Sequence, residues 1–150
     1  MLLALLAAAV LAQDPAAVTV VRAARVLDVS SGRMTANGAV VVRNGRISAV
    51  NPASAPADAT VIDLGNVTLL PGFIDLHTHL ISEISAASFI QVVTSTEADG
   101  AFSSVPNARK TVMAGFTTVR DFGGDITVAL GKAVDRGIVT GPRIIPSRNP

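Results

Sequence analysis

The stretch Leu69–His79 reads LLPGFIDLHTH, and it decides how the rest of the sequence is interpreted. Its centre, residues 73–76, is a mostly apolar run that follows a Pro-Gly step, a pattern typical of a β-strand. His77 and His79 come at the end of this strand, and they are the only histidines among the 150 residues. Because side chains alternate along a strand, Asp75, His77 and His79 are predicted to project from one face.

A histidine pair on one face of a strand predicts a metal site. Both imidazoles can reach a single ion at nitrogen–metal distances of about 2.0–2.1 Å, and neutral imidazole is a good ligand for zinc. Asp75 is a candidate to accept the outer N–H of one ligand. The same pair also arises by chance in loops and on exposed strands, and the spacing alone favours that alternative by about two to one. The apolar strand that leads into the pair favours the metal site.

After Pro71, strand and helix patterns alternate. Strands are predicted at 73–76, 116–119 and 143–145, with a helix within 85–94, a second at 105–114 and a third from about 127 to 136. Pro106 suits the first turn of the second helix. This order is typical of a parallel α/β fold with two to three strand–helix units, and ligands bind at the strand ends of such folds. Asp121 follows the second strand, where it either faces the site or caps the next turn.

Before the Pro-Gly step, the sequence shows only short strand patterns. Strands are predicted at 18–21, 25–27, 39–42, 47–50 and 61–64. Asn44-Gly45 separates two of them and favours a type I′ hairpin turn, because both residues tolerate a positive φ. Strands of this number and length predict a small β-sandwich-like domain or a platform.

Residues 1–12 read MLLALLAAAVLA and are predicted to be a signal peptide. The run is shorter than the ~20 apolar residues needed to cross a bilayer, but it fits the apolar core of a secretory signal. Val10 and Ala12 are small enough to precede a cleavage site. We therefore expect an exported protein, periplasmic or extracellular, with no stable membrane span. The alternatives are a buried N-terminal helix or a start codon placed late, and a chain without a leader would be cytoplasmic.

The composition excludes several other classes of function. Twelve Lys and Arg against eleven Asp and Glu give a net charge of +1, so no nucleic-acid partner is expected. The absence of Cys excludes disulfides, thiolate metal ligands and a cysteine nucleophile. Hydrophobic residues make up 49% of the chain, which is enough for a packed core.

The motif at residues 69–79 resembles the first-strand motif of the metal-dependent amidohydrolase superfamily. The hairpin at 44–50, NGRISAV, resembles the β-rich domain that precedes the barrel in those enzymes. Two later stretches, AGFTTVRD at 114–121 and GPRI at 141–144, are similar to the branch that contains imidazolonepropionase-like enzymes and Xaa-Pro dipeptidases. The likeness runs from about residue 18 to residue 147.

This resemblance implies a (β/α)8 barrel of the TIM type, preceded by the small β domain. Residues 13–70 would form that β domain, and residues 71–150 the first two to three β/α units of the barrel. His77 and His79 match the first-strand ligands of a centre that holds one or two divalent ions, with zinc the expected metal. The implied reaction is attack of a metal-activated water on the amide carbonyl of a small-molecule amide, a dipeptide or a cyclic amide.

The sequence departs from that family pattern in its extent. A full barrel takes about 250 residues, whereas fewer than 80 follow Pro71. No histidine follows His79, so the other imidazole ligands of the family are not in this sequence. We therefore expect an incomplete barrel, the N-terminal portion of a longer hydrolase, with no catalytic residue of its own and no activity alone. The alternative is a non-catalytic secreted domain with a binding or structural role.

Overall fold

The computed structural model describes residues 18–147, so the predicted leader at 1–12 lies outside the described residues. Backbone contacts divide the chain into two compact units between Pro71 and Gly72. The elements are, in chain order, β1 (Val18–Asp28), β2 (Arg33–Arg43), β3 (Arg46–Val50), β4 (Thr60–Asp63), β5 (Thr68–Leu69), β6 (Phe73–Thr78), α1 (Ser88–Thr94), α2 (Glu97–Met113), β7 (Phe116–Asp121), α3 (Gly124–Asp135) and β8 (Arg143–Pro146).

The first unit is one five-stranded sheet in the order β3-β2-β1-β4, with β5 also paired to β1. The β1–β2 and β2–β3 pairs are antiparallel, whereas β4 and β5 run parallel to β1. Val18, Val20 and Val41 form its buried cluster. The two short strands predicted at 18–21 and 25–27 are one continuous strand. β2 pairs with every residue of β1 except Ala24, and this pairing overrides the weaker β propensity between the two predicted strands.

The hairpin turn predicted between β2 and β3 is confirmed. Asn44 and Gly45 have φ angles of 50° and 70°, the positive values that a type I′ turn requires at both central positions. The turn joins the pair Arg43–Arg46 at the end of the β2–β3 ladder. Local turn chemistry therefore determines this hairpin.

The second unit contains the parallel sheet β6-β7-β8, with α2 following β6 and α3 following β7. Its core is formed by buried apolar side chains from the sheet, the helices and the loop after β6: Leu80, Ala108, Val119, Leu130 and Ile144. The predicted fold class, α/β with the beginning of a TIM-type barrel, is confirmed. Of the two forms predicted for the preceding β domain, a sandwich-like domain or a platform, the described residues before Pro71 show a single sheet. The three parallel strands of residues 18–147 do not close into a barrel.

The helix boundaries differ from the predicted ones. The start predicted at 105 for the second helix is wrong, since α2 begins at Glu97 and Pro106 lies inside it. The reason is a capping box, in which the Thr96 hydroxyl accepts from the N–H of Asp99 and the Asp99 carboxylate accepts from the N–H of Thr96. The hydrogen bond from the Thr96 hydroxyl also lowers the pKa of the Asp99 carboxyl.

The helix predicted within 85–94 is confirmed, since α1 runs from Ser88 to Thr94. The third helix, predicted from about 127, begins at Gly124. The helices found within residues 18–147 lack the combined length and hydropathy that crossing a lipid bilayer demands.

Candidate metal centre

The two histidines lie at the carboxyl end of β6. His77 belongs to the strand and His79 follows it directly, after the Thr78–Asp121 pair that ends the β6–β7 ladder. Because β6, β7 and β8 are parallel, their carboxyl ends meet at one edge of the sheet. Ligands bind at this edge in parallel α/β folds. The fold therefore places the predicted pair where a site is expected.

The two imidazoles converge on each other. Their Nε2 atoms are 3.3 Å apart, with ring centroids 5.3 Å apart and ring planes inclined at 49°. Two nitrogens that bind one tetrahedral ion at about 2.0–2.1 Å each are separated by about 3.3–3.4 Å. The spacing of the Nε2 atoms therefore fits a single zinc-like ion, and the accessible position of both rings leaves room for it.

An aromatic side chain beside the pair was not predicted. Phe122, which follows β7, stacks on the His77 ring with centroids 4.4 Å apart and lies 6.1 Å from the His79 ring. The Arg120 guanidinium carbon is 4.9 Å from the centroid of Phe122, in cation–π range. The chain has five Phe and no Trp or Tyr, so an aromatic residue at the end of a parallel strand was the signal that could have identified Phe122.

Asp75 contacts the backbone of a predicted ligand. Its Oδ1 accepts a hydrogen bond from the main-chain N–H of His77 at 2.9 Å. This contact restrains the strand just before the imidazole. The predicted role of Asp75 as acceptor for an imidazole N–H stays a prediction.

Asp121 lies at the end of β7 and is fully buried. One carboxylate oxygen, Oδ1, accepts from the N–H of Gly123 and so caps the turn that precedes α3. The other, Oδ2, accepts from the Thr78 hydroxyl and from the N–H of Leu80, at the end of β6. Of the two alternatives considered for this residue, capping the next turn describes its contact with Gly123. That Asp121 faces a metal site stays a prediction.

The described residues offer two candidate metal ligands at this edge of the sheet, His77 and His79. Within residues 18–147, no group of three or more His, Asp or Glu side chains could hold a metal ion. A cleft of about 750 Å³ beside α1 and α2, lined by Glu83, Asn107 and Lys110 among others, includes neither histidine. The candidate centre is therefore a pair of imidazoles at the sheet edge and is separate from this cleft.

Comparison with known proteins identifies a family whose sequence profile matches this chain. The sequence profile of the amidohydrolase family matches residues 68–149. The chain is 48% identical over 50 residues to an imidazolonepropionase of Arthrobacter sp. (strain FB24), covering 33% of this chain and 12% of that protein. It is 44% identical over 43 residues to a dihydroorotase of Syntrophus aciditrophicus (strain SB), covering 27% of this chain and 10% of that protein.

Two solved structures are similar over most of the chain. A prolidase complexed with N-methylphosphonate-L-proline is 34% identical with a TM-score of 0.73, and the match covers 88% of this chain and 32% of that one. A Xaa-Pro dipeptidase with bound methionine is 27% identical with a TM-score of 0.79, and the match covers 89% of this chain and 34% of that one. The chain thus spans about a third of these structures and about a tenth of the curated relatives.

Proposed function

The chain belongs to the amidohydrolase family, and from that premise we propose that it is the N-terminal portion of a metal-dependent hydrolase that cleaves a C–N amide bond. The observation that carries the proposal is the 3.3 Å separation of the His77 and His79 Nε2 atoms, which suits two ligands of one ion. The similar imidazolonepropionase, dihydroorotase and prolidase support the class of reaction.

In this proposal, the residues of the chain hold one side of the centre. His77 and His79 bind the ion, and the ring of Phe122 stacks on His77 and limits its rotation. Asp75 restrains the backbone of His77 through its N–H. A divalent ion held there, with zinc the expected metal, would supply Lewis-acid chemistry toward the amide carbonyl and would lower the pKa of a bound water.

The proposed substrate is a small amide, either a dipeptide or a cyclic amide. Supporting this class, one similar structure is of a prolidase with a phosphonate derivative of proline, and another is of a Xaa-Pro dipeptidase with methionine. Structural and catalytic zinc sites take three or four protein ligands, and this chain offers two imidazoles. We propose that the remaining ligands come from sequence beyond this chain and that the chain alone is inactive. We also propose that residues 1–12 direct the protein to export.

Removal of the metal from the full-length protein tests this function. We expect chelation followed by dialysis to abolish hydrolysis across a panel of Xaa-Pro dipeptides and cyclic amides, because the ion supplies the electrophile. Added Zn²⁺ should restore the rate, whereas added Mg²⁺, which prefers oxygen ligands, should not. Hydrolysis that survives complete chelation would contradict the proposal. A full-length protein that binds no Zn²⁺ when the metal is added, and that hydrolyses no member of the panel, would favour the alternative of a non-catalytic secreted domain.

A further inference from the structure

We propose that Asp121 is a positioning residue for His79, acting through the backbone on both sides of that imidazole. The inference rests on the proposed function, because it assumes that His79 binds a metal ion. Asp121 is 43 residues away from Thr78 in the sequence but is paired with it at the end of the β6–β7 ladder. The hydrogen bonds that the Asp121 carboxylate accepts support this role.

A single oxygen of Asp121 holds the residues immediately before and after His79. Its Oδ2 accepts from the Thr78 hydroxyl at 2.9 Å and from the main-chain N–H of Leu80 at 2.7 Å. Hydrogen bonds to a carboxylate are stronger and shorter than those between neutral groups. Because His79 lies between these two contacts, its Cα has little freedom to move along or across the strand.

Asp121 is itself firmly held. Its Oδ1 accepts from the N–H of Gly123 at 2.8 Å, and its carbonyl oxygen accepts from the N–H of Ser147 at 2.8 Å. The neighbouring N–H of Phe122 donates to the carbonyl of Thr78 at 2.9 Å. The carboxylate is fully buried, so solvent does not compete for these bonds. Asp121 therefore fixes the end of β6 relative to β7 and β8.

His79 needs this restraint because its own surroundings provide little. It follows the last residue of β6, and its side chain is exposed. Its ring meets His77 and, at a centroid distance of 6.1 Å, Phe122. Metal affinity depends on ligands already placed near their bound positions, so a looser backbone at His79 weakens the site even where the fold survives.

The test compares zinc affinity with stability in variants of the full-length protein. Asp121→Val removes both acceptors at nearly constant shape, and Thr78→Val removes one of the two contacts that flank His79. Thr127→Val is the matched control, since Thr127 is also fully buried and its hydroxyl donates only to the Gly124 carbonyl. Zinc affinity is measured by competition with a chromophoric chelator, and stability by urea unfolding.

We expect Asp121→Val to weaken zinc binding by about 10- to 100-fold, the range seen for residues that orient metal ligands. Thr78→Val should weaken it several-fold, whereas Thr127→Val should lower the urea midpoint and leave zinc affinity unchanged. Asp121→Asn should retain more affinity than Asp121→Val, because its amide oxygen can still accept from Thr78 and Leu80. If Asp121→Val does not fold, the comparison of zinc affinity between Thr78→Val and Thr127→Val tests the proposal.

Wild-type zinc affinity in Asp121→Val or in Thr78→Val would overturn the inference, as would an equal loss in Thr127→Val. A failure of the proposed function gives a different result. If His77 and His79 are not metal ligands, the His77→Ala and His79→Ala variants will bind zinc as the wild type does. Loss of zinc in both histidine variants together with unchanged affinity in the Asp121 and Thr78 variants would overturn the positioning role alone.

Discussion

Replacing either His77 or His79 with alanine is expected to lower the zinc affinity of the full-length protein by at least about 100-fold, more than loss of a residue outside the ligand set costs. The reason is that each substitution removes a nitrogen from a pair whose separation of 3.3 Å matches one ion. Amide hydrolysis should fall with the metal content. Elemental analysis of dialysed protein, together with the rate at saturating substrate, measures both effects.

The chain has no third histidine to serve as a control. The control is therefore the substitution of an exposed cationic residue in the same unit. Lys132 is exposed on α3, and Lys132→Ala should retain full zinc content and rate. Stoichiometric zinc in both histidine variants would show that the ion binds elsewhere and would contradict the ligand assignment. Loss of zinc from the lysine variant as well would point to a general effect on folding.

Gly123→Ala is expected to destabilise the second unit by about 1–3 kcal/mol, the usual cost of overpacking a filled site. A Cβ on Gly123 would lie 2.5 Å from the Thr127 Cγ2, 2.8 Å from the Ile81 Cγ2 and 2.9 Å from the Asp121 Oδ1. Because Gly123 has a φ of −81°, which alanine adopts freely, the cost arises from space and not from backbone strain. Urea unfolding monitored by circular dichroism measures the change.

Gly100→Ala provides the matched control for this substitution. Gly100 lies inside α2 of the same unit, and a Cβ there would meet only the flexible end of Ile126, at 3.2 Å. Alanine is the better helix former, so this variant should be stabilised by about 0.4–1 kcal/mol. An unchanged midpoint for Gly123→Ala, or equal shifts of both variants in the same direction, would contradict the packing described around Asp121.

The features that could be predicted from the sequence depend on local patterns. The strand that carries His77 follows from the apolar run before it, and the Asn44-Gly45 turn follows from the positive φ that these residues tolerate. The convergence of the two imidazoles follows from the two-residue period of a strand. Each of these inferences needs only a few neighbouring residues.

The features that could not be predicted depend on competition between two helix-start signals, or on pairing between strands that are distant in the sequence. Pro106 indicated a helix start at Val105, but the reciprocal bonds of Thr96 and Asp99 begin α2 at Glu97, eight residues earlier. The contacts of Asp121 and Phe122 with the end of β6 exist because β7 pairs with β6 in parallel. The sequence places these strands in order but does not specify which side chains meet at their ends.

The central claim is that His77 and His79 bind one metal ion, and anomalous X-ray diffraction at the zinc absorption edge tests it most directly. Crystals of the full-length protein grown with Zn²⁺ should show a peak about 2.0–2.1 Å from the Nε2 atoms of both imidazoles. An anomalous peak away from this pair, or the two rings turned apart into solvent with no peak between them, would contradict the claim.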